Sequence, residues 1–157
     1  MGKQIFQLNI VLVEPEIPPN TGNIARLCAA TNSILHLVHP LGFRLDDRHL
    51  KRAGLDYWPH VSIKEHKSLE AFLEFAQGKE LFLYSTKGKH IYTKAAPKNN
   101  SFLIFGRETY GLPKDFIKKY FDQSFYIPMW GKVRSLNLSS AVAIIVYDAY
   151  RKLFNWN

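Results

Sequence analysis

The sequence predicts an α/β fold with a mainly parallel sheet flanked by helices. Short apolar runs, typical of strands that are buried on both faces of a parallel sheet, occur along the whole chain. Segments with a helical spacing of apolar residues alternate with these runs, as in repeated strand–helix–strand units. Loops that contain glycine follow the predicted strands, at the edge where open sheets of this kind bind ligands.

The predicted elements follow one another in a simple order. We expect strands at residues 8–13, 34–38, 61–63, 81–85, 102–105 and 125–127. We expect helices at residues 23–31, 46–52, 68–76, 113–120 and 138–154.

Local signals support the individual helices. Asn20 or Thr21 is the expected cap of the first helix, and Asp46 and Asp47 suit the first turn of the second. Pro113 is a typical helix start. The last and longest helix carries one apolar stripe, formed by Leu138, Val142, Ile145, Ala149 and Leu153.

Composition limits the class of protein. A chain of 157 residues fits one domain, residues 1–157. The single cysteine, Cys28, excludes an internal disulfide, so we expect a cytoplasmic protein. We expect no membrane span, because no apolar run approaches the roughly 20 residues that a spanning helix needs. The net charge of +8 favours a polyanionic partner such as a nucleic acid, although a basic enzyme without such a partner stays an alternative.

The segment NTGNIARLC, residues 20–28, is the first candidate for function. A glycine stands between Asn20 and Asn23 immediately before the predicted first helix. Backbone N–H groups and side-chain amides at a helix N-terminus suit an anion such as a phosphate. Arg26 is expected to face outward because Ile24 and Leu27 face inward. The alternative is a capped helix with one exposed arginine.

The segment FGRETYGLP, residues 105–113, follows a predicted buried strand. Gly106 permits close approach of a ligand, and Gly111 is expected in a left-handed turn. Glu108 is either a buried group with a partner or a solvated turn residue. The spacing of the two glycines does not match a dinucleotide-binding fingerprint. A shorter segment, YSTKG at residues 84–88, follows the preceding strand and is by itself a simple strand exit.

The segment IPMWGKVRSLNLSSA, residues 127–141, is the third candidate. Ser135 and Asn137 supply hydrogen-bonding groups beside the apolar Met129 and Leu136, a mixture that fits an adenosine. The alternative is a helix cap preceded by a loop, with Asn137 or Ser139 at the helix start. The six histidines and one cysteine form no metal-binding pattern, so we expect no metal, and Cys28 is expected to pack in the core.

Taken together, the three segments resemble the motifs of the SPOUT superfamily of RNA methyltransferases. With LHLVHPLGF and RAGLDYW, the chain is most similar to the small tRNA wobble-nucleotide ribose 2′-O-methyltransferases. The resemblance implies a C-terminal deep trefoil knot, with the knot and the cofactor site within about residues 81–154. It also implies a homodimer in which the long last helix crosses the interface near Tyr147.

The resemblance implies a pocket for S-adenosylmethionine (SAM), which is converted to S-adenosylhomocysteine, and no metal. The implied cofactor contacts are Tyr84, Gly106, Ile127 and Ser135, with Thr86, Gly88, Met129 and Leu136 as neighbours.

The implied reaction is methylation of the ribose 2′-oxygen of a wobble cytidine or uridine in the anticodon stem-loop of a tRNA, with a leucine tRNA as the expected substrate. The family places Arg26 at the reacting hydroxyl. A guanidinium stays protonated, so we interpret Arg26 as a phosphate clamp that stabilises developing negative charge rather than as a base. Ser135, Asn137 and Glu108 would order the site.

The expected RNA contacts are spread over several loops and two helices. They are Asn20, Asn23, Arg44, Arg48, Arg52, Lys87 and Arg134. Alternatives are a ribose methyltransferase for another tRNA or rRNA position and a non-catalytic RNA-binding protein of the same fold. A dinucleotide-dependent oxidoreductase is disfavoured because the glycine fingerprint is missing.

Overall fold

A seven-stranded sheet forms the centre of the molecule in the computed structural model, which describes residues 5–54 and 58–157. The strands are β1 (Asn9–Val13), β2 (Ile34–Val38), β3 (Ser62–His66), β4 (Leu81–Tyr84), β5 (His90–Ile91), β6 (Phe102–Phe105) and β7 (Ser124–Tyr126). Their order is β3-β2-β1-β6-β4-β7-β5, and all neighbouring strands are parallel. The predicted parallel α/β sheet is therefore confirmed.

Five helices cover the two faces of the sheet in the described residues. They are α1 (Pro18–Thr31), α2 (Arg48–Gly54), α3 (Leu69–Phe75), α4 (Lys114–Lys119) and α5 (Leu138–Leu153). Short 3-10 turns lie at Trp58–His60, Tyr92–Lys94 and Phe121–Gln123. None of the described helices is long and apolar enough to cross a membrane.

The central strand β1 is buried on both sides, because alternate side chains of a strand point to opposite faces. Ile10 and Leu12 pack with residues of α1 and α5 in one apolar cluster. Val11 and Val13 pack with residues of α3 and α4 in the other. This two-sided burial explains why the strand is a continuous apolar run.

Cys28 lies in the cluster of α1 and α5, as the sequence predicts. Burial raises the pKa of its thiol to about 12, so the side chain stays protonated and acts as a small apolar group.

The start of α1 differs from the prediction. The helix begins at Pro18, and Ile17 occupies the cap position without a side-chain hydrogen bond. The expected cap at Asn20 or Thr21 is therefore wrong. Two successive prolines already have the backbone angle of a first helical turn, and this moves the start toward the N-terminus. Asn20 and Thr21 are instead buried within the first turns.

Two other boundaries also shifted, and one strand was not expected. The helix α2 begins after Asp47, whose carboxylate accepts the N–H of His49 at 2.8 Å, so this acid caps the helix instead of lying in its first turn. The strand β3 extends to His66, beyond the predicted 61–63. The two-residue strand β5 was not predicted, because two residues are too few to show a periodic pattern.

Candidate active site

A cavity of about 1030 Å³ lies at the edge of the sheet where β1, β4, β6 and β7 end. Because these strands are parallel, their carboxyl ends meet at one edge, and the loops that follow them come together there. Most of the lining residues come from the segments 13–20, 84–87, 105–114 and 127–141, and Asn20 is the contribution of the first candidate segment. All three sequence candidates therefore contribute to one site.

Seven of the eight predicted cofactor residues line this cavity. They are Tyr84, Thr86, Gly106, Ile127, Met129, Ser135 and Leu136. Gly88 lies behind the wall, where an added Cβ would stand 2.3 Å from the carbonyl carbon of Phe125. The absence of a side chain at this position lets the turn after β4 pack against the backbone of β7.

Three buried aromatic residues at the strand ends line the cavity and form its floor. The rings of Tyr84 and Phe105 are stacked with centroids 5.2 Å apart, and Phe125 lies 5.8 Å from Tyr84. Burial raises the pKa of Tyr84 far above its ordinary value, so the phenol remains neutral. The floor is therefore an uncharged apolar surface suited to a planar or organic ligand.

The carboxylate of Glu108 holds the loop before α1 against the loop after β6. Its Oε1 accepts the N–H of Glu16 at 2.9 Å, and its Oε2 accepts the N–H of Ile17 at 2.9 Å. Oε2 also accepts the side-chain amide of Asn20 at 3.0 Å. A negative group at this position satisfies N–H groups at the start of α1 and interacts favourably with the helix dipole.

Glu16, in the loop before α1, accepts hydrogen bonds from the loop after β6. Its Oε1 accepts the backbone N–H of Thr109 at 3.1 Å and the hydroxyl of Thr109 at 2.7 Å. The hydrogen bond from the hydroxyl of Thr109 is the main reason why the pKa of Glu16 is lowered. The two loops are therefore joined by a pair of charge-assisted contacts.

The turn at residues 106–111 brings the backbone close to itself. A Cβ on Gly106 would lie 2.0 Å from the carbonyl carbon of Gly111 and 2.2 Å from the nitrogen of Leu112. Gly111 has a φ of +68°, the left-handed conformation expected from the sequence. Glycine at both positions lets the loop form a tight wall of the cavity.

Asn20 and Asn137 connect this wall to the start of α5. The side-chain oxygen of Asn20 accepts the amide of Asn137 at 3.1 Å, while its own amide donates to Glu108. Asn137 caps α5 by accepting the N–H of Ser139 at 3.0 Å. The predicted helix start at Asn137 is therefore confirmed, and Glu108, Asn20 and Asn137 form one network along the cavity.

The comparison with known proteins identifies the family. The model of the SpoU rRNA methylase family matches residues 7–147. The chain belongs to this family. The prediction of an RNA methyltransferase of the SPOUT type is thereby confirmed.

Similar proteins cover almost the whole chain of this SpoU family member. It is 47% identical over 147 residues to the tRNA (cytidine(34)-2′-O)-methyltransferase of Escherichia coli K12, covering 93% of this chain and 94% of that protein. The protein of the same name from Yersinia pestis is 49% identical over 152 residues, covering 93% and 94% of the two chains.

Solved structures agree with this fold. One, described as giving insights into 2-OH methylation of C/U34 on tRNA, has a TM-score of 0.92 and 46% identity, and covers 96% of this chain and 98% of that chain. A SpoU methyltransferase from Streptomyces viridochromogenes, in complex with the cofactor AdoMet, has a TM-score of 0.83 and 21% identity, over 96% of this chain and 59% of that one.

The predicted catalytic residues of this family member fall into two places. Ser135, Asn137 and Glu108 line the cavity. Arg26 lies on the exposed side of α1 and is not part of the lining.

The predicted RNA contacts are also divided. Asn20, Lys87 and Arg134 line the cavity. The exposed side chains outside it are Asn23, Arg44, Arg48 and Arg52. Arg44 forms an ion pair with Asp46 at 3.1 Å on the surface.

Several residues of the site were missed by the sequence analysis. Arg107, Tyr110 and Lys114 line the cavity, and Glu16 and Thr109 hold its two loops together. The available sequence signal was the pair of charged residues, Arg107 and Glu108, that follows Gly106 in a loop flanked by two glycines. No group of three or more potential metal ligands occurs among the residues that the structure describes.

Proposed function

We propose that this protein transfers the methyl group of SAM to the ribose 2′-oxygen of the wobble cytidine or uridine in the anticodon loop of a tRNA. The observation that carries the proposal is the similarity of 47–49% to two tRNA (cytidine(34)-2′-O)-methyltransferases over more than nine tenths of both chains. A leucine tRNA is the proposed substrate, and such a substrate implies a cytoplasmic enzyme.

The cavity fits SAM in its chemistry. The aromatic floor offers an apolar surface for the adenine, and the close turn at Gly106 brings backbone groups to the ligand. Tyr84, Gly106, Ile127 and Ser135 are the proposed contacts, with Thr86, Met129 and Leu136 beside them. Gly88 would act through the turn that it permits. SAM supplies the methyl group, leaves as S-adenosylhomocysteine, and needs no metal.

We further propose that residues 81–154 form a deep trefoil knot. The order of the strands supports this, because β4 lies between β6 and β7 although it precedes both in the chain. The loops that follow these three strands line one cavity, which is where the proposed knot would bring them together. The proposed knot would hold the cofactor loops in place without a disulfide.

In the proposed mechanism the protein mainly aligns the 2′-oxygen with the methyl group. The sulfonium is a good leaving group, so the remaining tasks are to position the two reacting atoms and to pass the hydroxyl proton to a phosphate oxygen or to water. Arg26 binds the adjacent phosphate and stabilises developing negative charge on the oxygen. The network of Glu108, Asn20 and Asn137 keeps Ser135 and the cavity wall in place.

We propose a homodimer in which Arg26 serves the cavity of the partner. Arg26 lies outside the cavity lining of its own chain, which supports this assignment. Tyr147 is 46% exposed on the outer side of α5, together with Ile144. Exposed apolar side chains on one helix face suit an interface between copies. Sedimentation should then give twice the chain mass of 18.2 kDa.

The proposed RNA surface is basic and lies around the cavity. Lys87 and Arg134 at the cavity, and Arg44, Arg48 and Arg52 farther out, would bind the tRNA backbone. Asn20 and Asn23 at the start of α1 would add polar contacts. Binding that depends on phosphate neutralisation weakens steeply with salt. A flat salt dependence would therefore remove this part of the proposal.

The central test is methylation of tRNA by the purified protein with radiolabelled SAM, followed by nucleoside mapping. We expect label at the wobble ribose, and label at another tRNA position or in rRNA would replace the proposed substrate. If calorimetry detects no SAM binding, the chain is a non-catalytic RNA-binding member of the family.

The Arg26→Ala variant tests the mechanism. We expect SAM binding to stay close to wild type while turnover falls roughly a hundredfold or more, because the lost group acts on the reacting nucleotide. Lys79→Ala is the control, since Lys79 is an exposed cation after α3, away from α5 and outside the cavity lining. Turnover of Arg26→Ala at the wild-type rate contradicts the proposed role.

A further inference from the structure

Two large aromatic side chains are almost fully exposed beside the cavity. Trp130 is 92% exposed in the loop between β7 and α5, next to Met129, which lines the cavity. Tyr110 is 80% exposed in the loop after β6 and also lines the cavity. Burying an aromatic side chain normally stabilises a protein, so such exposure at a binding site indicates a partner.

The surroundings of these rings are basic. The guanidinium of Arg107 lies 4.9 Å from the centre of the Tyr110 ring. Arg107, Lys87, Lys114 and Arg134 all line the cavity, and Lys132 lies two residues after Trp130. The lining contains two carboxylates, Glu14 and Glu108, and that of Glu108 is occupied by hydrogen bonds within the protein. The groups that remain for a ligand are therefore mainly cations and aromatic faces.

We propose that Trp130 and the Arg107–Tyr110 pair are stacking platforms for unpaired nucleobases on either side of the nucleotide that is methylated. The inference rests on the proposed function, since it assumes an RNA loop at the cavity. Unpaired bases stack on aromatic and guanidinium planes, and the cations nearby neutralise the phosphates between them. Holding the two neighbouring bases would fix the ribose between them for attack on the methyl group.

A second copy of the chain fits this surface less well than RNA. Two copies of this patch facing one another would bring several cations together, and the Arg26 that the proposed homodimer brings to the cavity adds one more. A polyanion with aromatic bases complements both the charge and the rings. We therefore assign this surface to RNA and treat self-association as an outcome of the test.

The first measurement is binding of an anticodon stem-loop RNA by fluorescence anisotropy. We expect Trp130→Ala to weaken binding between about fivefold and a hundredfold, and Trp130→Phe to weaken it less, because a smaller ring still stacks. Trp156→Ala is the matched control, since Trp156 stacks on Phe154 after α5. SAM affinity should be unchanged in all three. Equal RNA binding by wild type and Trp130→Ala overturns the proposal.

The second measurement identifies stacking itself. Each position of the RNA loop is replaced in turn by an abasic nucleotide, and binding is measured with wild type, Trp130→Ala and Tyr110→Ala. If each ring stacks on one base, there is one RNA position per ring at which removing the base and removing the ring do not have additive effects on affinity. With the abasic nucleotide at that position, the variant should bind less than about twofold more weakly than wild type. Penalties that are the same at every position overturn the proposal.

The same samples separate this inference from the proposed function. Methylation by wild type together with additive effects at every position leaves the proposed function in place and removes the platforms. Non-additive binding without methylation at the wobble ribose supports the platforms and removes the proposed reaction. A lower sedimenting mass for Trp130→Ala than for wild type assigns Trp130 to an interface between copies and overturns the proposal.

Discussion

Two polar networks in this protein use similar groups for different purposes. One joins Asn9, His36 and His66 across β1, β2 and β3, and the other joins Glu108, Asn20 and Asn137 at the cavity. In the first, His36 is completely buried, with its Nε2 at 2.8 Å from Oδ1 of Asn9 and its Nδ1 at 2.9 Å from Nε2 of His66.

The donors and acceptors of the Asn9–His36–His66 network can be assigned in only one way. The amide of Asn9 donates to the carbonyl of Asn100 at 3.0 Å, so its oxygen accepts from Nε2–H of His36. The Nδ1 of His36 then accepts from Nε2–H of His66. Both rings are neutral in this arrangement. Burial is the main reason why the pKa of His36 is lowered to about 3 and that of His66 is also lowered.

The second network contains a carboxylate and borders the cavity. Its groups join three separate segments of the chain, whereas the histidine network joins neighbouring strands of one sheet half. Asn20 and Asn9 are similarly buried, so the comparison teaches that position relative to the cavity, and not burial alone, decides the role of a polar group. Neutral groups with all partners inside the protein specify strand pairing, and groups beside the cavity hold the shape of a ligand site.

The largest effect is expected for Gly106→Ala, which alters the cavity wall directly. The new Cβ would meet the backbone of Gly111 and Leu112 at 2.0 and 2.2 Å, so the loop must move. We expect a loss of about 3 kcal/mol in the free energy of unfolding and at least a roughly tenfold weaker SAM affinity by calorimetry. Gly131→Ala is the control, since nothing lies within 4 Å of its added Cβ. Equal effects of the two variants would contradict this account.

The next effect is expected for His36→Leu, which breaks the buried neutral network. The oxygen of Asn9 and the Nε2–H of His66 would lose their partner inside the protein. We expect a loss of roughly 2–4 kcal/mol in denaturant unfolding, with unchanged SAM affinity of the folded protein. His39→Gln should cost less than about 1 kcal/mol, because the His39–Glu65 pair is on the surface. A large change in SAM affinity would show that the two networks are coupled.

A smaller effect is expected for Glu108→Gln. The amide keeps the size of the side chain but cannot accept hydrogen bonds from Glu16, Ile17 and Asn20 with both of its terminal atoms. We expect a loss of about 1–2 kcal/mol in stability together with weaker SAM binding. Glu74→Gln on the exposed side of α3 is the matched control. A stability loss without any change in SAM affinity would give Glu108 the same role as His36.

The smallest effect is a pH dependence of stability. The pKa of His36 is lowered from 6.5 to about 3 in the folded protein, so the unfolded chain binds a proton more readily. The free energy of unfolding is not reduced by protonation of His36 well above pH 6.5, and it declines as the pH falls from 6.5 toward 3. Between pH 7.5 and 6.0 His36 should contribute a loss of roughly 0.8 kcal/mol. Thermal melts of wild type and His36→Leu should converge over this range, and parallel curves would exclude His36 as the cause.

The sheet was predictable because its strands are apolar and local in sequence. The runs at 34–38 and 102–105 match β2 and β6 residue for residue. The cap of α1 was not predictable from neighbouring residues, since the carboxylate that serves it is Glu108, about ninety positions away. Likewise the two histidines of the buried network are thirty residues apart and meet only because β2 and β3 are neighbours.

The site was predictable in its segments and less so in its details. Ser135 and Leu136 were predicted because their segment mixes polar and apolar residues and resembles the third motif of the family. Glu16 and Thr109 were missed because each is an ordinary loop residue whose partner is distant in sequence. The exposure of Trp130 could not be predicted, because it depends on how the loop folds. A tryptophan among apolar residues is normally expected to be buried.

The strand order has a consequence for synthesis on the ribosome. The strand β1 emerges early, yet one of its neighbours is β6, and the N–H of Leu8 donates to the hydroxyl of Tyr150 in α5. The strand β4 has both of its neighbours, β6 and β7, later in the chain. A nascent chain that ends before β6 therefore leaves the backbone N–H and C=O groups on one edge of β1 unpaired and has no partner for β4. The cavity can therefore form only late in synthesis, once β6, β7 and the segment up to Ala141 have been made.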